Sequence, residues 1–505
     1  MSDSKTVREE ISRRRMLYVL ACFYGASLTG CELVRSSISQ NLGHRIPDSI
    51  KSSGIVGSGR EVDLDFHTLS RISFGPFPGD LDRLKAMGAS YLEEQLHPDS
   101  IDDKAADVRV RRFESLEFDM HNMHEFKKEV LRSDMARFTM LKAIYSRRQL
   151  LECLVEFWSD HFNISIDKGD CIYLKPADQN NVIRKHALGN FRDLVLGSAR
   201  SPAMLIYLDG KDNHVSKAGD RPNENYAREL LELHTMGVYG GYTQQDVYEV
   251  ARALSGFKLH DRYRRGEVYF DRSCHDDGPK KILGHVIAGG GGEGDLEQVI
   301  DILMKHPSTA HYVAYKLSRY FVSDNPDPQL VKELADTFKE TKGEIKPMLR
   351  QALASDQFKS SLSRATKFKR PFRFMVSSIR ALAGDTNAGA PLVRYLERMG
   401  QPVFQYPTPD GYPMESQPWM GTLLWRWNFA MALCANKIES LSVDLPRLGE
   451  ALNADYSPPK FQNKIFPYLV GRLPDEGERQ AFSESKLKEQ ELLAMILCSP
   501  AFQMH

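Results

Sequence analysis

The stretch from Asn223 to Gly241 constrains the fold of this chain most, because it has the pattern of one helix with a marked start and a marked end. Pro222 suits a first helical turn, where its missing N–H costs nothing, and Gly237 suits the left-handed position just past a helix end. At about 100° per residue, one apolar arc collects Tyr226, Ala227, Leu230, Leu231 and Leu233. His234 falls inside that arc, so we predict that this helix directs a histidine into the interior.

Charged residues follow a second stripe of the same helix. Glu224, Arg228 and Glu232 are spaced four residues apart, and Glu229 lies between that stripe and the apolar edge. Two interpretations remain open. The stripe is either a solvated ladder of ion pairs, each contributing a few tenths of a kcal/mol, or a buried charge network beside a functional pocket.

A second amphipathic helix is predicted from Leu150 to Phe162, and it also carries a histidine on its apolar face, His161. Two inward imidazoles and a carboxylate such as Glu229 would suit a divalent metal with open coordination positions. We therefore consider His161, His234 and Glu229 as metal ligands, or as acid–base groups. Neither helix has the H-E-x-x-H spacing of known zinc sites, so two separate core histidines are the alternative.

A short polar loop places a histidine directly beside two carboxylates, at His275, Asp276 and Asp277. A carboxylate–histidine pair can transfer protons or bind a metal. The alternative is a turn in which the aspartates bond their own backbone.

Several stretches together resemble a known family. The central stretch from Asn223 to Gly256 resembles the core of the bacterial domain-of-unknown-function 1800 family, and four more pieces match it, at Arg71–Asp80, Phe157–Phe162, His275–His285 and Gln401–Pro413. The resemblance extends from about residue 66 to the C-terminus. It implies a mostly helical, exported bacterial protein that is often encoded beside a sulfatase-like partner protein.

The N-terminus has the pattern of an export signal. Ser12 to Leu17 resembles a twin-arginine motif, an apolar run from Met16 to Gly30 follows, and Leu28 to Cys31 fits a lipobox. A basic segment, a short apolar segment and small residues at the cut are typical of a signal peptide. We predict export in the folded state, cleavage before Cys31, acylation of that thiol, and a lipid-anchored location in the periplasm or cell envelope. An uncleaved anchor is the alternative.

Composition and spacing predict the architecture. The chain has 505 residues, enough for a large core. We predict a mainly α-helical fold with a signal peptide at residues 1–31, a tether at 32–65, a core domain at 66–365, and a smaller helical lobe at 366–505. A hairpin over residues 257–270 is the only strand structure expected. The formal net charge is zero, which does not favour a nucleic-acid partner.

Two patterns in the second lobe lead to further expectations. The basic run from Lys367 to Arg373 is interpreted as a solvated boundary between the lobes, and contact with lipid headgroups or an acidic partner is the alternative. The aromatic helix from Trp419 to Phe429 is interpreted as part of the core.

Two functions are consistent with these patterns. The first is an exported enzyme, metal-dependent or acid–base, whose pocket lies where the central helix meets His161 and the loop from His275 to Asp277; Arg228 would orient an anionic substrate or hold Glu224 and Glu232. The second is a non-catalytic binding or assembly lipoprotein that acts with a sulfatase-like partner. Neither the reaction nor the cofactor follows from the sequence.

Overall fold

The computed structural model describes residues 61–505, except residues 218, 458, 459, 485 and 486. The predicted signal peptide, the lipidation site at Cys31 and nearly all of the tether therefore lie outside the described residues. The described part belongs to one compact unit that spans residues 46–505.

The chain before the central helix consists of short and medium helices. They are α1 (Leu64–Ile72), α2 (Asp80–Met87), α3 (Ala89–Leu96), α4 (Lys104–Val110), α5 (Met120–Met123), α6 (Lys128–Tyr145), α7 (Gln149–His161), α8 (Cys171–Asp178), α9 (Phe191–Ala199) and α10 (Pro202–Tyr207). A π-helix, Gln179–Arg184, continues α8. Asn190 caps α9, because its side chain accepts a hydrogen bond from the N–H of Arg192.

The central helix and those after it complete the fold. They are α11 (Asn225–Glu229), α12 (Gln244–Ala253), α13 (Gly294–Lys305), α14 (Pro307–Phe321), α15 (Pro328–Glu340), α16 (Ile345–Ala354), α17 (Asp356–Lys359), α18 (Pro371–Ala381), α19 (Ala390–Arg398), α20 (Leu423–Cys434), α21 (Leu445–Ala451), α22 (Phe466–Val470), α23 (Glu476–Glu484), α24 (Glu489–Cys498) and α25 (Pro500–Gln503). Two more π-helices are Leu230–Thr235 and Phe461–Ile465. The mainly α-helical prediction is confirmed.

Strands in the described part of the chain make three small antiparallel pairs. The predicted hairpin is present as β1 (Phe257–Leu259) and β2 (Val268–Phe270), with Phe257 opposite Phe270. Two pairs were not expected: β3 (Lys280–Ile282) with β4 (His285–Ile287), and β5 (Asp385–Thr386) with β6 (Leu441–Ser442). None of these pairs is extensive enough to organise the core.

Apolar side chains from Val62 to Phe502 form one contiguous buried cluster. Helix α18 packs against α6, so part of the predicted second lobe contributes to the same cluster as the core domain. The division at residue 365 stays a prediction. Among the described residues, no helix has both the length and the apolar character needed to cross a membrane.

The basic run from Lys367 to Arg373 is buried, so the prediction of a solvated boundary is wrong. Its charges are met inside the protein. Arg373 donates to the carbonyl oxygens of Ser70 and Ser73, at 2.9 and 2.7 Å. Arg370 forms ion pairs with two carboxylates of α7. Oxygen atoms of the protein therefore stabilise these positive charges, where the sequence pattern had predicted contact with water.

The aromatic stretch from Trp419 to Phe429 spans a 3₁₀ turn, Gln417–Thr422, and the first part of α20. Trp419 is buried as expected, but the Trp427 side chain is 43% exposed. The core interpretation is therefore wrong for Trp427.

Candidate functional site

The central helix changes its winding before it reaches its histidine. It begins at Asn225, so Pro222 lies before the helix and not in its first turn. From Leu230 to Thr235 it is a π-helix, in which the N–H of Met236 bonds the carbonyl oxygen of Leu231 at 2.9 Å. Gly237 follows in the left-handed region, as predicted. Such π-turns are rare and occur frequently at functional sites.

His234 and His161 face each other in the interior. Their ring centroids are 6.2 Å apart, and the Nε2–H of His161 donates to the carbonyl oxygen of His234 at 3.0 Å. Burial, followed by the positive charge of Lys316, lowers the pKa of His234 to about 3. The same two causes hold the pKa of His161 well below its usual value. Both rings are therefore neutral at physiological pH, and their packing among aromatic side chains makes them core groups.

Among the described side chains, no group of three or more His, Cys, Asp or Glu is placed to hold a metal ion. His161, His234 and Glu229 therefore do not converge as the predicted ligand set. One reason is that the Nε2 atom of His161 is engaged by a backbone carbonyl. The two rings lie in the core, whereas Glu229 is only half-buried on the flank of the central helix.

The charged stripe forms a partly exposed ladder. Arg228 lies 3.2 Å from the carboxylate of Glu224 and 3.6 Å from that of Glu232. Its Nη2 also donates to Gln244 on α12 at 2.8 Å. The side chains of the three ladder residues are 24–37% exposed, which is closer to the solvated interpretation than to a buried network. The ladder fixes the outer face of the central helix next to Glu229.

Lys316 on α14 and Asp410 are polar groups at this site that the sequence patterns missed. Burial lowers the pKa of the Lys316 amine to about 8, although the charges of Asp160 and Asp410 act in the opposite direction. The amine lies 5.5 Å from the centroid of the Tyr312 ring, which in turn is 6.2 Å from the ring of His161. Lys316 therefore adjoins the histidine pair.

Glu229 shares an electrostatic neighbour, Asp410, with Lys316. Burial is the main cause that raises the pKa of its carboxyl, and the negative charges of Glu232 and Asp410 add to the effect. Asp410 is exposed and lies within electrostatic reach of both Glu229 and Lys316. The cluster of Glu229, Lys316 and Asp410, which we call the central site, therefore combines a carboxyl of raised pKa with an amine of lowered pKa.

The loop from Gln401 to Pro413 holds Asp410 at this position. Asn163 donates from its amide to the carbonyl oxygens of Tyr406 and Thr408, at 3.1 and 2.7 Å. Gly411 has φ +74°, and a Cβ at this position would collide with the carbonyl oxygen of Asp160. Two of the stretches quoted for the family resemblance, Phe157–Phe162 and Gln401–Pro413, thus meet at the central site.

The side chains of the loop from His275 to Asp277 bind neighbouring side chains and backbone groups that hold the loop in place. Arg252 holds Asp276 with two hydrogen bonds, of 2.7 and 2.9 Å, and Asp277 pairs with exposed Arg272. His275 is buried, and its Nδ1–H donates to the carbonyl oxygen of Ser255 at 2.9 Å. The three side chains point to different partners, and within the described residues no hydrogen bond or ion pair joins them to the central site.

His275 also contacts a buried ion pair. Its Nε2 lies 3.4 Å from Oδ2 of Asp295, and the same oxygen accepts a hydrogen bond from the Lys280 amine at 2.6 Å. Both charged side chains are fully buried. The region from His275 to Asp295 is therefore a buried polar cluster that joins β3 to the start of α13, in which Oδ1 of Asp295 has no hydrogen-bond partner among the described residues.

No curated protein and no solved structure matches the chain. One family model, described as "Protein of unknown function (DUF1800)", matches residues 67–504. The match covers all of the stretches on which the resemblance was based, but not the predicted export signal. The chain therefore belongs to the DUF1800 family.

Proposed function

We propose that this protein is an acid–base enzyme of the bacterial cell envelope, in which Lys316 accepts a proton from the substrate and Glu229 donates one. The observation that carries the proposal is the pair of opposite pKa displacements at two groups that share one acidic neighbour, Asp410. Burial lowers the pKa of the Lys316 amine to about 8 and raises the pKa of the Glu229 carboxyl, so both move toward neutral pH. Groups displaced in this way are characteristic of acid–base sites.

Each neighbour has a defined part in this proposal. Asp410 stabilises the charged amine and disfavours the charged form of Glu229, so it tunes both groups. His161 and His234 form a neutral, packed floor and take no part in proton transfer. Arg228 keeps Glu224 and Glu232 in the ladder beside Glu229.

The envelope location rests on the sequence. The twin-arginine pattern and the lipobox ending at Cys31 support export followed by lipid anchoring. Anchoring would hold the central site close to substrates of the envelope.

Turnover in envelope extract tests the proposal without knowledge of the substrate. Extract from cells lacking the protein is incubated with the purified full-length protein. Mass spectrometry then compares this sample with the same extract incubated without the protein. We expect at least one species to change, at a rate that falls as the pH rises above about 8, because little of the protein then keeps Glu229 protonated. Lys316→Met should lower that rate by about 10²–10⁴-fold, the usual contribution of a general base. Lys305→Met, at an exposed lysine of α13, should leave it unchanged.

The second candidate function is a binding or assembly protein. The side chains of Met420, Leu424, Trp427 and Met431 lie along one face of α20 and the turn before it, and are 43–61% exposed. This i, i+4, i+7, i+11 spacing is that of an apolar helix face, and such exposed faces often bind other proteins. A sulfatase-like partner protein would be the occupant.

The same extract distinguishes the two functions. If no species changes, and the wild-type protein retains a stable sulfatase-like partner that a Leu424→Ser/Trp427→Ser variant loses, the binding function replaces the enzyme. If a species changes and Lys316→Met abolishes the change, the enzyme is retained.

A further inference from the structure

A large cleft lies on the side of α7 that carries Glu152, and none of its lining residues belongs to the central site. Its volume is about 920 Å³, within the range of ligand-binding sites. It lies between α4, α6, α7 and the π-helix Gln179–Arg184. We call it the basic cleft, because seven Lys and Arg side chains line it against four Asp and Glu.

The floor of the basic cleft is already neutralised. Arg184 forms two hydrogen bonds with the buried carboxylate of Glu152, at 2.6 and 2.9 Å. Buried Lys142 is held by Asp103 and Asp107, at 2.9 and 2.8 Å. These pairs give the cleft a rigid polar floor, and their charges do not account for its positive excess.

The excess arises at the rim. Arg111, Lys185 and Lys346 form no ion pair within residues 61–505 as far as the structure describes them. The Nη2 atom of Arg148 donates to the carbonyl oxygen of Ile101 at 3.0 Å. Arg148 also has no carboxylate partner among the described residues. Two rim carboxylates, Asp99 and Glu117, oppose these four cations and likewise have no cation partner among the residues that the structure describes. The rim therefore favours an anionic group.

An apolar pocket of about 290 Å³ adjoins the basic cleft. The two share Glu117, Phe138 and Arg184 as wall residues. Apolar side chains dominate the further wall of the pocket, which includes Phe113, Leu116, Met135, Val155 and Phe404.

A smaller cavity of about 60 Å³ continues inward. It shares Thr139, Val155, Gln179 and Phe404 with the apolar pocket, so the three spaces follow one another from the surface into the core. The polarity changes along this path, from a cationic rim to the apolar pocket, and the innermost cavity again has carboxylates in its wall, those of Glu152, Glu156 and Asp160.

The π-helix Gln179–Arg184 forms the wall between the charged and the apolar parts. Its first residues, Gln179 and Asn180, line the apolar pocket, and its last residue, Arg184, lines both spaces. A π-turn inserts one residue and redirects the side chains that follow, which is a common device at binding sites. Here it directs an arginine to the point where the polarity changes.

We propose that the basic cleft and the apolar pocket together bind an anionic amphiphile, with its carboxylate or phosphate at Arg111, Lys185 and Lys346 and its alkyl chain between Phe138 and Phe404. Charge complementarity selects the head group, and burial of apolar surface selects the chain. The site is independent of the central site, so each can fail without the other.

Calorimetric titration of the full-length protein with sodium dodecanoate, below its micellar concentration, tests the proposal. Dodecanoate should bind at least about tenfold more tightly than 1-dodecanol, which lacks the charge, and at least about a hundredfold more tightly than butyrate, which lacks the chain. Dodecyl phosphate identifies the head group: tighter binding than dodecanoate indicates a phosphate lipid, and weaker binding indicates a fatty acid.

Matched variants locate the site. Arg111→Gln/Lys185→Gln/Lys346→Gln should weaken dodecanoate binding at least about tenfold, which corresponds to losing most of the charge contribution. Lys281→Gln/Lys305→Gln/Lys332→Gln, at exposed lysines outside the cleft, removes the same charge and should leave binding within about twofold. Circular dichroism confirms that both fold. Equal binding by the two triple variants, or equal binding of butyrate and dodecanoate, would overturn the proposal.

Discussion

Replacing Arg370 with methionine is expected to lower the free energy of unfolding by about 3–5 kcal/mol. Arg370 is buried, and its guanidinium lies 2.8 Å from the carboxylate of Glu156 and 2.6 Å from that of Asp160. The methionine would leave two largely buried carboxylates of α7 without the guanidinium that pairs with both. Breaking a buried pair from one side is costly for this reason, even where the intact pair adds little.

Chemical denaturation at pH 7 measures the loss. Arg264→Met is the control, because Arg264 and Glu267 form an exposed pair whose removal should change stability far less. If Arg370→Met lowers the free energy of unfolding no more than the control does, the ion pairs of Arg370 with Glu156 and Asp160 do not stabilise the fold as proposed.

The deficit of Arg370→Met should narrow as the pH falls. Burial already raises the pKa of Asp160 in the intact protein, although Arg370 opposes it. Without Arg370, the folded-state pKa rises further above the unfolded value. A carboxyl whose pKa is higher in the folded state lowers the free energy of unfolding at neutral pH. This loss decreases as the pH falls below the folded-state pKa, and it is gone below the unfolded-state pKa. Denaturation midpoints measured from pH 7 to pH 4 follow this change.

Replacing Lys280 with methionine should cost a similar amount, about 3–5 kcal/mol. The Lys280 amine lies 2.6 Å from Oδ2 of Asp295, both side chains are fully buried, and the amine also donates to the carbonyl oxygen of Gly278 at 3.0 Å. The substitution would strand the Asp295 carboxylate beside His275. Lys281→Met, at the exposed neighbouring residue, should change stability by less than about 0.5 kcal/mol.

A second substitution distinguishes the stranded charge from lost packing. Adding Asp295→Asn to Lys280→Met removes the uncompensated charge while keeping the shape of the side chain. We expect the double variant to recover more than half of the lost stability in the same denaturation experiment. If it is no more stable than Lys280→Met alone, packing and not charge explains the loss.

Periodicity predicted the parts of this fold that depend on a single element. The apolar arc of the central helix directed His234 inward, and that of α7 directed His161 inward, because helical spacing fixes which face meets the core. Alternation predicted the hairpin from Phe257 to Phe270. These features follow from local spacing alone.

Features that depend on several distant segments were not predicted. The burial of Arg370 is set by carboxylates about two hundred residues earlier, and the lowered pKa of Lys316 by the packing of α14 against the central helix. In the sequence, Lys316 resembles any other lysine of an amphipathic helix. The π-turns were also missed, because one inserted residue leaves most of the apolar pattern intact.

The titration of the Lys316 amine tests the central claim most directly. Competitive acetylation of the full-length protein between pH 6 and pH 11, followed by peptide mass spectrometry, gives its midpoint. We predict a midpoint of about 8, and a lower one in Asp410→Asn, because the Asp410 carboxylate raises the pKa of this amine. A midpoint near 10.4, the value of an unperturbed lysine, that does not respond to Asp410→Asn would contradict the acid–base site.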